Sequence, residues 1–164
     1  MELHKLDTET SVFFYEQEFY VLSNFSAFNL RYKGFLFATS EHAYQWSKFR
    51  PPNDGGIAFL IRIASSAHDA FKLAEEHYKF RRPDWNEIKD NIMLDILRHK
   101  AKQHEYVRRK LLETGDRVLI EDSWRDDYWG WGSNKDGKNR LGKLWMQVRE
   151  EIRNADALIK RGDK

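Results

Sequence analysis

Cysteine is absent from the 164 residues. That removes disulfides, zinc–thiolate centres and a thiol nucleophile from consideration. It also fits a reducing compartment, so a cytoplasmic location is the expectation. No apolar run approaches the ~18 residues of a membrane span, and no membrane association is expected. The opening MELHKLDTETSV lacks the apolar stretch behind a basic one that marks a secretory signal. Internal repeats, low-complexity tracts and flexible linkers are missing too, which predicts one domain over residues 1–164. The six histidines (His4, His42, His68, His77, His99, His104) show no metal-ligand spacing and no HExxH, so neither a metal nor another cofactor is expected. The glycines form neither a P-loop nor a dinucleotide fingerprint. A net charge of +2 is too mild for a general nucleic-acid surface. Nothing in the composition specifies an oligomeric state.

What is abundant is aromatic: 15% of residues, with six tryptophans. Such rings fill cores, but flat heterocyclic ligands also need ring faces to stack on, so position must decide each one's role. The early segment reads as short strands, VFFYEQ followed by NLRY and FLFAT in a hairpin across Lys33-Gly34. Ser40 is placed to cap a helix EHAYQWSKF that Pro51-Pro52 must end. NDGG reads as a loop and IAFLIRIA as a short apolar helix. Ser66 with Asp69, and Asp84 with Glu87, resemble capping boxes for the next two helices. The second of these runs from Trp85 to about Gln103 on a stripe of Ile88, Ile92, Met93, Ile96 and Leu97. EYVRRKLLET stops at Gly115, RVLIE is a strand, and LGKLWMQVREEI is a last amphipathic helix. The class is α+β: a helix-rich single domain with a small antiparallel β element.

Three places carry possible chemistry. In the helix after Ser40, the positions Glu41, Tyr44 or Gln45, and Lys48 recur at i, i+3/i+4 and i+7, on one stripe. Spacing alone leaves this pair free to face solvent. If packed instead, a Glu–Lys pair has coupled, shiftable pKa values suited to acid–base or amine chemistry. The second place is the loop DSWRDDYWGWGSNKDGKN. It is too long and too rich in Asp, Trp and Gly to be explained by core packing. It offers Asp126 and Asp127 as carboxylates, with Trp129 and Gly130 beside them. Its end, Asn139 to Gly142, leads into a helix N-terminus, a natural anion site if its N–H groups are free; Asn139 as a simple cap is the compatible alternative. The third is Trp85, at a first helical turn, where stacking on a ligand and plain packing are equally open. Ser23-Asn24-Phe25 either turns the chain or presents Asn24 to a ligand. The basic stretch Arg98–Lys110 reads as a solvated helix face rather than a nucleic-acid strip.

Taken in order, SNF, G-x-x-F-x-TSEH-x-YQ-x-x-KF, DW-x-x-x-K-x-x-IM, D-x-YWG and GKN-x-LG-x-L-x-M-x-x-R resemble the YbiA/NADAR family of N-glycosidases over about residues 13–153. The resemblance implies a compact α+β domain that cleaves N-glycosidic bonds. It implies a phosphorylated ribosyl or ADP-ribosyl substrate. In one branch these are ribosylaminopyrimidine phosphates of riboflavin synthesis. In the other the substrate is ADP-ribosylated guanine, with nucleic acid as carrier. Matched by motif, the catalytic glutamate falls on Glu41, the tryptophan on Trp85 and the aspartate on Asp126, with Asp127 in the variable position. The lysine of KF falls on Lys48. The expected substrate contacts are Asn24, Tyr44, Trp85, Trp129, Gly130, Asn139 and Gly142, the last two for phosphate. Two schemes follow: a Lys48 Schiff base with Glu41 moving protons, or direct hydrolysis by Glu41 and Asp126. A non-catalytic ADP-ribose or nucleotide-binding module is the alternative outside enzymes.

Overall fold

A computed structural model describes residues 6–15, 17–50 and 54–162. His4, Glu16, the Pro51-Pro52 stop and Asn53 lie outside the described residues. In chain order the elements are β1 (Ser11–Phe14), a 3₁₀ helix (Gln17–Leu22), β2 (Leu30–Tyr32), β3 (Phe35–Phe37), α1 (Ser40–Ser47), α2 (Ile57–Arg62), α3 (Ala67–Glu76), a 3₁₀ turn (Tyr78–Phe80), α4 (Trp85–Gln103), α5 (Glu105–Glu113), β4 (Val118–Glu121) and α6 (Arg140–Gly162). The α+β class expected from the pattern is the class found. The chain gathers into two compact units, residues 24–105 and the two chain ends, 1–23 with 106–164.

In the central unit, β2 and β3 form the expected antiparallel hairpin, Leu30 opposite Phe37 and Tyr32 opposite Phe35. Lys33 and Gly34 turn the chain with positive φ, 47° and 84°. Helix α1 packs against α2, α3 and α4. A small apolar core joins Phe49, Ile57, Ala58, Ile61, Ala70 and Ala74 beside it. Ser66 caps α3 as foreseen: its Oγ accepts from the Asp69 N–H at 3.0 Å and donates to the Asp69 carboxylate at 2.8 Å. The matching expectation at α4 fails. Asp84 makes no side-chain cap bond, because its carboxylate is held by Arg82 at 2.6 and 2.8 Å and by Arg50 at 3.2 Å.

Along α4 the apolar stripe is buried at Ile92, Met93, Ile96 and Leu97. One polar residue continues it. Lys100 is fully buried, 0% exposed, so the solvated-face reading of Arg98–Lys110 does not hold at this position. Its Nζ donates to Ser26 Oγ at 2.8 Å. Burial pulls its pKa from the ordinary 10.5 down to about 7. The unfolded chain therefore binds more protons than the folded chain between those values. Stability from this group is fully present at high pH and is lost as pH falls through the window to about 7. Denaturant unfolding of the parent and of Lys100→Met between about pH 6.5 and 10 will show the parent gaining on the variant as pH rises. Parallel curves would count against it.

In the unit built from the chain ends, β1 and β4 pair in parallel, Ser11 opposite Val118 and Phe14 opposite Glu121. The strand expected over VFFYEQ is shorter, ending at Phe14, since Gln17 already opens the 3₁₀ helix. Helix α6 packs on β4 and runs to Gly162, ten residues past the expected LGKLWMQVREEI. Its buried face is Leu141, Leu144, Trp145 and Val148, with Trp145 Nε1 donating to the Leu22 carbonyl at 2.8 Å. Arg149, also buried, donates to Thr114 Oγ1 at 2.8 Å and to the Arg117 carbonyl at 2.9 Å. No helix among the described residues is long and apolar enough to cross a membrane.

Candidate active site

Helix α1 is only eight residues long, yet all of it except Trp46 is buried. The cap is Thr39, not Ser40: Thr39 is extended (φ −145°, ψ 166°) and its Oγ1 accepts from the His42 N–H at 3.3 Å. His42 is fixed as well, with Nδ1 at 2.8 Å from Thr39 Oγ1 and Nε2 at 3.1 Å from the Ala64 carbonyl. These bonds account for one polar face of the helix and leave the other for chemistry.

That other face holds Glu41, Tyr44, Gln45 and Lys48. Glu41 and Lys48 are each 6% exposed, so the solvent-facing alternative is overturned. Charged side chains are almost never this buried without partners. Gln45 Nε2 donates to Glu41 Oε1 at 2.6 Å, and the Glu41 N–H donates to the Asn24 carbonyl at 3.0 Å. Lys48 closes the helix as its C-cap. Burial pulls the Lys48 ammonium below the ordinary lysine range. Glu75, whose Oε1 lies 3.4 Å from Nζ, and then Glu41 draw it partly back. The Tyr44 ring contacts both Lys48 Nζ, 5.4 Å from its centroid, and Trp85, 5.1 Å centre to centre. Trp85 is 2% exposed, with Tyr44 as one packing neighbour, so its ring does not lie open. The Arg82 N–H donates to the Lys48 carbonyl at 2.8 Å, tying the end of α1 to the segment before Trp85. Asn24 is buried too, with Nδ2 3.4 Å from Met93 Sδ.

Within the unit of residues 24–105, then, the structure brings Asn24, Glu41, Tyr44, Lys48 and Trp85 to one neighbourhood. A pocket of about 250 Å³ lined by Lys33, Trp46, Ser47, Phe49, Arg50 and Arg82 contains none of them. Gln45 and Glu75 act on the pair but were not assigned from sequence. Gln45 stood i+4 from Glu41 and was readable as its partner; Glu75, on α3, had no local signal.

The remaining candidates belong to the unit built from the chain ends. Asp126 is half-buried, and its Oδ1 accepts from the N–H groups of Tyr128 at 2.8 Å and Trp129 at 2.7 Å, an Asx-type turn that sets the loop. Asp127 is exposed and Trp129 half-buried, with Trp129 edge-on to Tyr128 at 5.0 Å. Gly130 is needed for packing: a Cβ there would lie 2.9 Å from the Asp126 carbonyl oxygen. At the start of α6 the premise of free amides fails. The N–H groups of Asn139, Arg140 and Leu141 donate to the carbonyls of Gly130, Tyr128 and Trp129 at 2.9, 2.9 and 3.1 Å. The Asn139 side chain does not cap the helix either. It accepts from the Glu121 N–H at 3.0 Å and donates to the Leu119 carbonyl at 2.8 Å, completing the open edge of β4. Among the described residues no three His, Asp or Glu side chains are grouped to hold a metal ion.

A class is thereby defined: a small α+β fold in which a buried carboxylate and a buried amine share one short helix. The chain belongs to the NADAR domain family, whose model matches residues 13–153. It is 40% identical over 146 residues to "N-glycosidase Npun_R5314" of Nostoc punctiforme, covering 88% of this chain and 94% of that protein. It is 38% identical over 130 residues to "N-glycosidase YbiA" of Escherichia coli, 79% of each. It is 36% identical over 146 residues to "Riboflavin biosynthesis protein VVA0006" of Vibrio vulnificus, covering 88% of this chain but 39% of that longer protein. The solution structure of E. coli YbiA resembles it with a TM-score of 0.82 at 33% identity, covering 93% of this chain and 90% of that one.

Proposed function

We propose that this chain hydrolyses the bond between C1′ of a ribose and an exocyclic amine of a heterocycle, with Lys48 as amine nucleophile and Glu41 as proton carrier. Hydrolysis of N-glycosyl bonds is the class its relatives' names carry. The observation that supports the finer reading most is the burial of Lys48, which favours the neutral, nucleophilic amine against the opposing pull of Glu75 and Glu41.

A glycosylamine can open its furanose ring to an imine at C1′. Lys48 Nζ then adds to C1′, the bond from C1′ to the departing nitrogen breaks, and that nitrogen leaves as a free amine carrying the two protons Lys48 gives up as it becomes the imine. Water adds to the lysine imine, the C1′–Nζ bond breaks, and the sugar leaves as an aldehyde that recloses. Glu41, held by Gln45, carries the protons of ring opening and exchange. Asp126 and Trp129 enter through the D-x-YWG motif, as second acid and ring wall. With the amides of residues 139–141 engaged by the loop, phosphate is not assigned to the start of α6.

Borohydride added during turnover will trap a sugar adduct on Lys48, seen by mass spectrometry of the peptide, and Lys48→Arg will lose both adduct and activity. An untrapped enzyme whose Lys48→Arg variant still turns over would leave direct hydrolysis by Glu41 and Asp126. Substrate is decided by offering a ribosylaminopyrimidine phosphate and ADP-ribosylated guanine separately and following the released base. The first is the better-supported choice, because relatives carry riboflavin-biosynthesis names. Binding of either without release would favour the non-catalytic module.

A further inference from the structure

Lys100 lies on the apolar stripe of α4, one turn beyond Ile96 and two beyond Met93, where a leucine or methionine would serve packing better. An amine buried at such a place costs stability, and chains keep that cost where it serves a site. At 0% exposure it meets no substrate, so it is not a second nucleophile. What it holds is the segment Asn24–Ser26. Its Nζ donates to Ser26 Oγ at 2.8 Å and sits 5.5 Å from the Phe28 ring centroid. Two residues back from Ser26, the Asn24 carbonyl takes the Glu41 N–H at 3.0 Å. The Asn24 side chain anchors only softly, through a thioether sulfur at 3.4 Å. From Lys100 the link runs through one bond to Ser26, along the backbone to Asn24, and through a second bond to the first turn of α1.

We infer that Lys100 is a positioning residue for Glu41, acting through Ser26 and Asn24 to fix the turn of α1 on which that carboxylate stands. The inference rests on the Glu41 reading above for its catalytic consequence, but the geometric link is measurable without any substrate.

The test uses the full chain with Lys100→Met and, independently, Ser26→Ala. Lys100→Met is expected to melt no lower than the parent at neutral pH, since an apolar chain of similar volume replaces a buried amine. In both variants the Glu41 amide exchanges its hydrogen at least tenfold faster than in the parent, while the Leu119 amide on β4 is unaffected. With substrate, kcat falls at least tenfold and KM stays within about threefold. A purely structural lysine would instead lower melting temperature and leave Glu41 exchange and kcat alone. Unchanged Glu41 exchange in folded variants overturns the inference, as does faster exchange with unchanged kcat. If Lys100→Met does not fold, Ser26→Ala decides by the same criteria. A parent inactive on both substrates defeats the proposed function, and the exchange result then still decides the geometric link.

Discussion

Replacing Glu41 with glutamine lowers kcat by about 10²–10⁴-fold, the range for losing one positioned acid–base group, and leaves the fold intact. The substitution keeps the size and planarity of the side chain and retains an oxygen to accept the 2.6 Å bond from Gln45. It removes the group able to carry protons. It also removes one of the two carboxylates that pull the Lys48 ammonium back toward its ordinary range, so the lysine becomes more neutral, not less. A slow Glu41→Gln enzyme therefore cannot be ascribed to protonation of the lysine proposed as nucleophile. Steady-state kinetics beside a thermal melt makes the measurement, and turnover within threefold of the parent would remove Glu41 from the chemistry.

The second large effect falls on stability. Gly142→Ala is expected to cost about 3 kcal/mol, the upper part of the range for over-packed sites, and to lower the melting temperature by roughly 6–12 °C in a chain of this length. A Cβ at Gly142 collides with the Leu119 carbonyl oxygen and lies 2.6 Å from both carboxamide atoms of Asn139. Those neighbours are backbone of β4 and a side chain bonded twice to that strand, so neither can yield cheaply. The same substitution decides between the two roles open to this glycine. A ligand-approach glycine would give a normal melt and a raised KM; a packing glycine gives the low melt.

The sequence was most informative where structure is local. Alternation and turn residues located β2, β3 and their Lys33-Gly34 turn, and the helical periodicity of the apolar stripe, together with the polar residues before Trp85, located α4 from Trp85 to about Gln103. The same periodicity placed Glu41 and Lys48 on one stripe. Whether that stripe faces water depends on α3 and α4 packing against α1, and no spacing within α1 reports it. The misplacements turn on which partner each polar side chain finds. Ser40 and Thr39 are equally good caps by composition, and the bond to His42 selects Thr39. Asp84 has the right neighbours for a capping box, but Arg50, far back in the chain, competes with Arg82 for its carboxylate. Asn139 has every local reason to cap α6 and instead serves β4. The parallel pairing of β1 with β4 joins nearly opposite ends of the chain and had no local mark. For Asp126 the motif supplied the candidate, while local geometry shows only how the loop holds it.

The bond from the Arg82 N–H to the Lys48 carbonyl has an architectural meaning beyond its energy. The chain leaves α1 at Lys48 and comes back to the same residue at Arg82, so everything from Phe49 to Arg81 is a closed detour whose two ends are pinned together. The span of a detour closed in this way can change at small entropic cost, because closure entropy grows only with the logarithm of length. Lengthening or shortening it leaves the separation of Lys48 from the base of α4 where it was. The loops of this detour, rather than α2 and α3 that pack on α1, are thus where this fold can acquire new surface without moving its lysine.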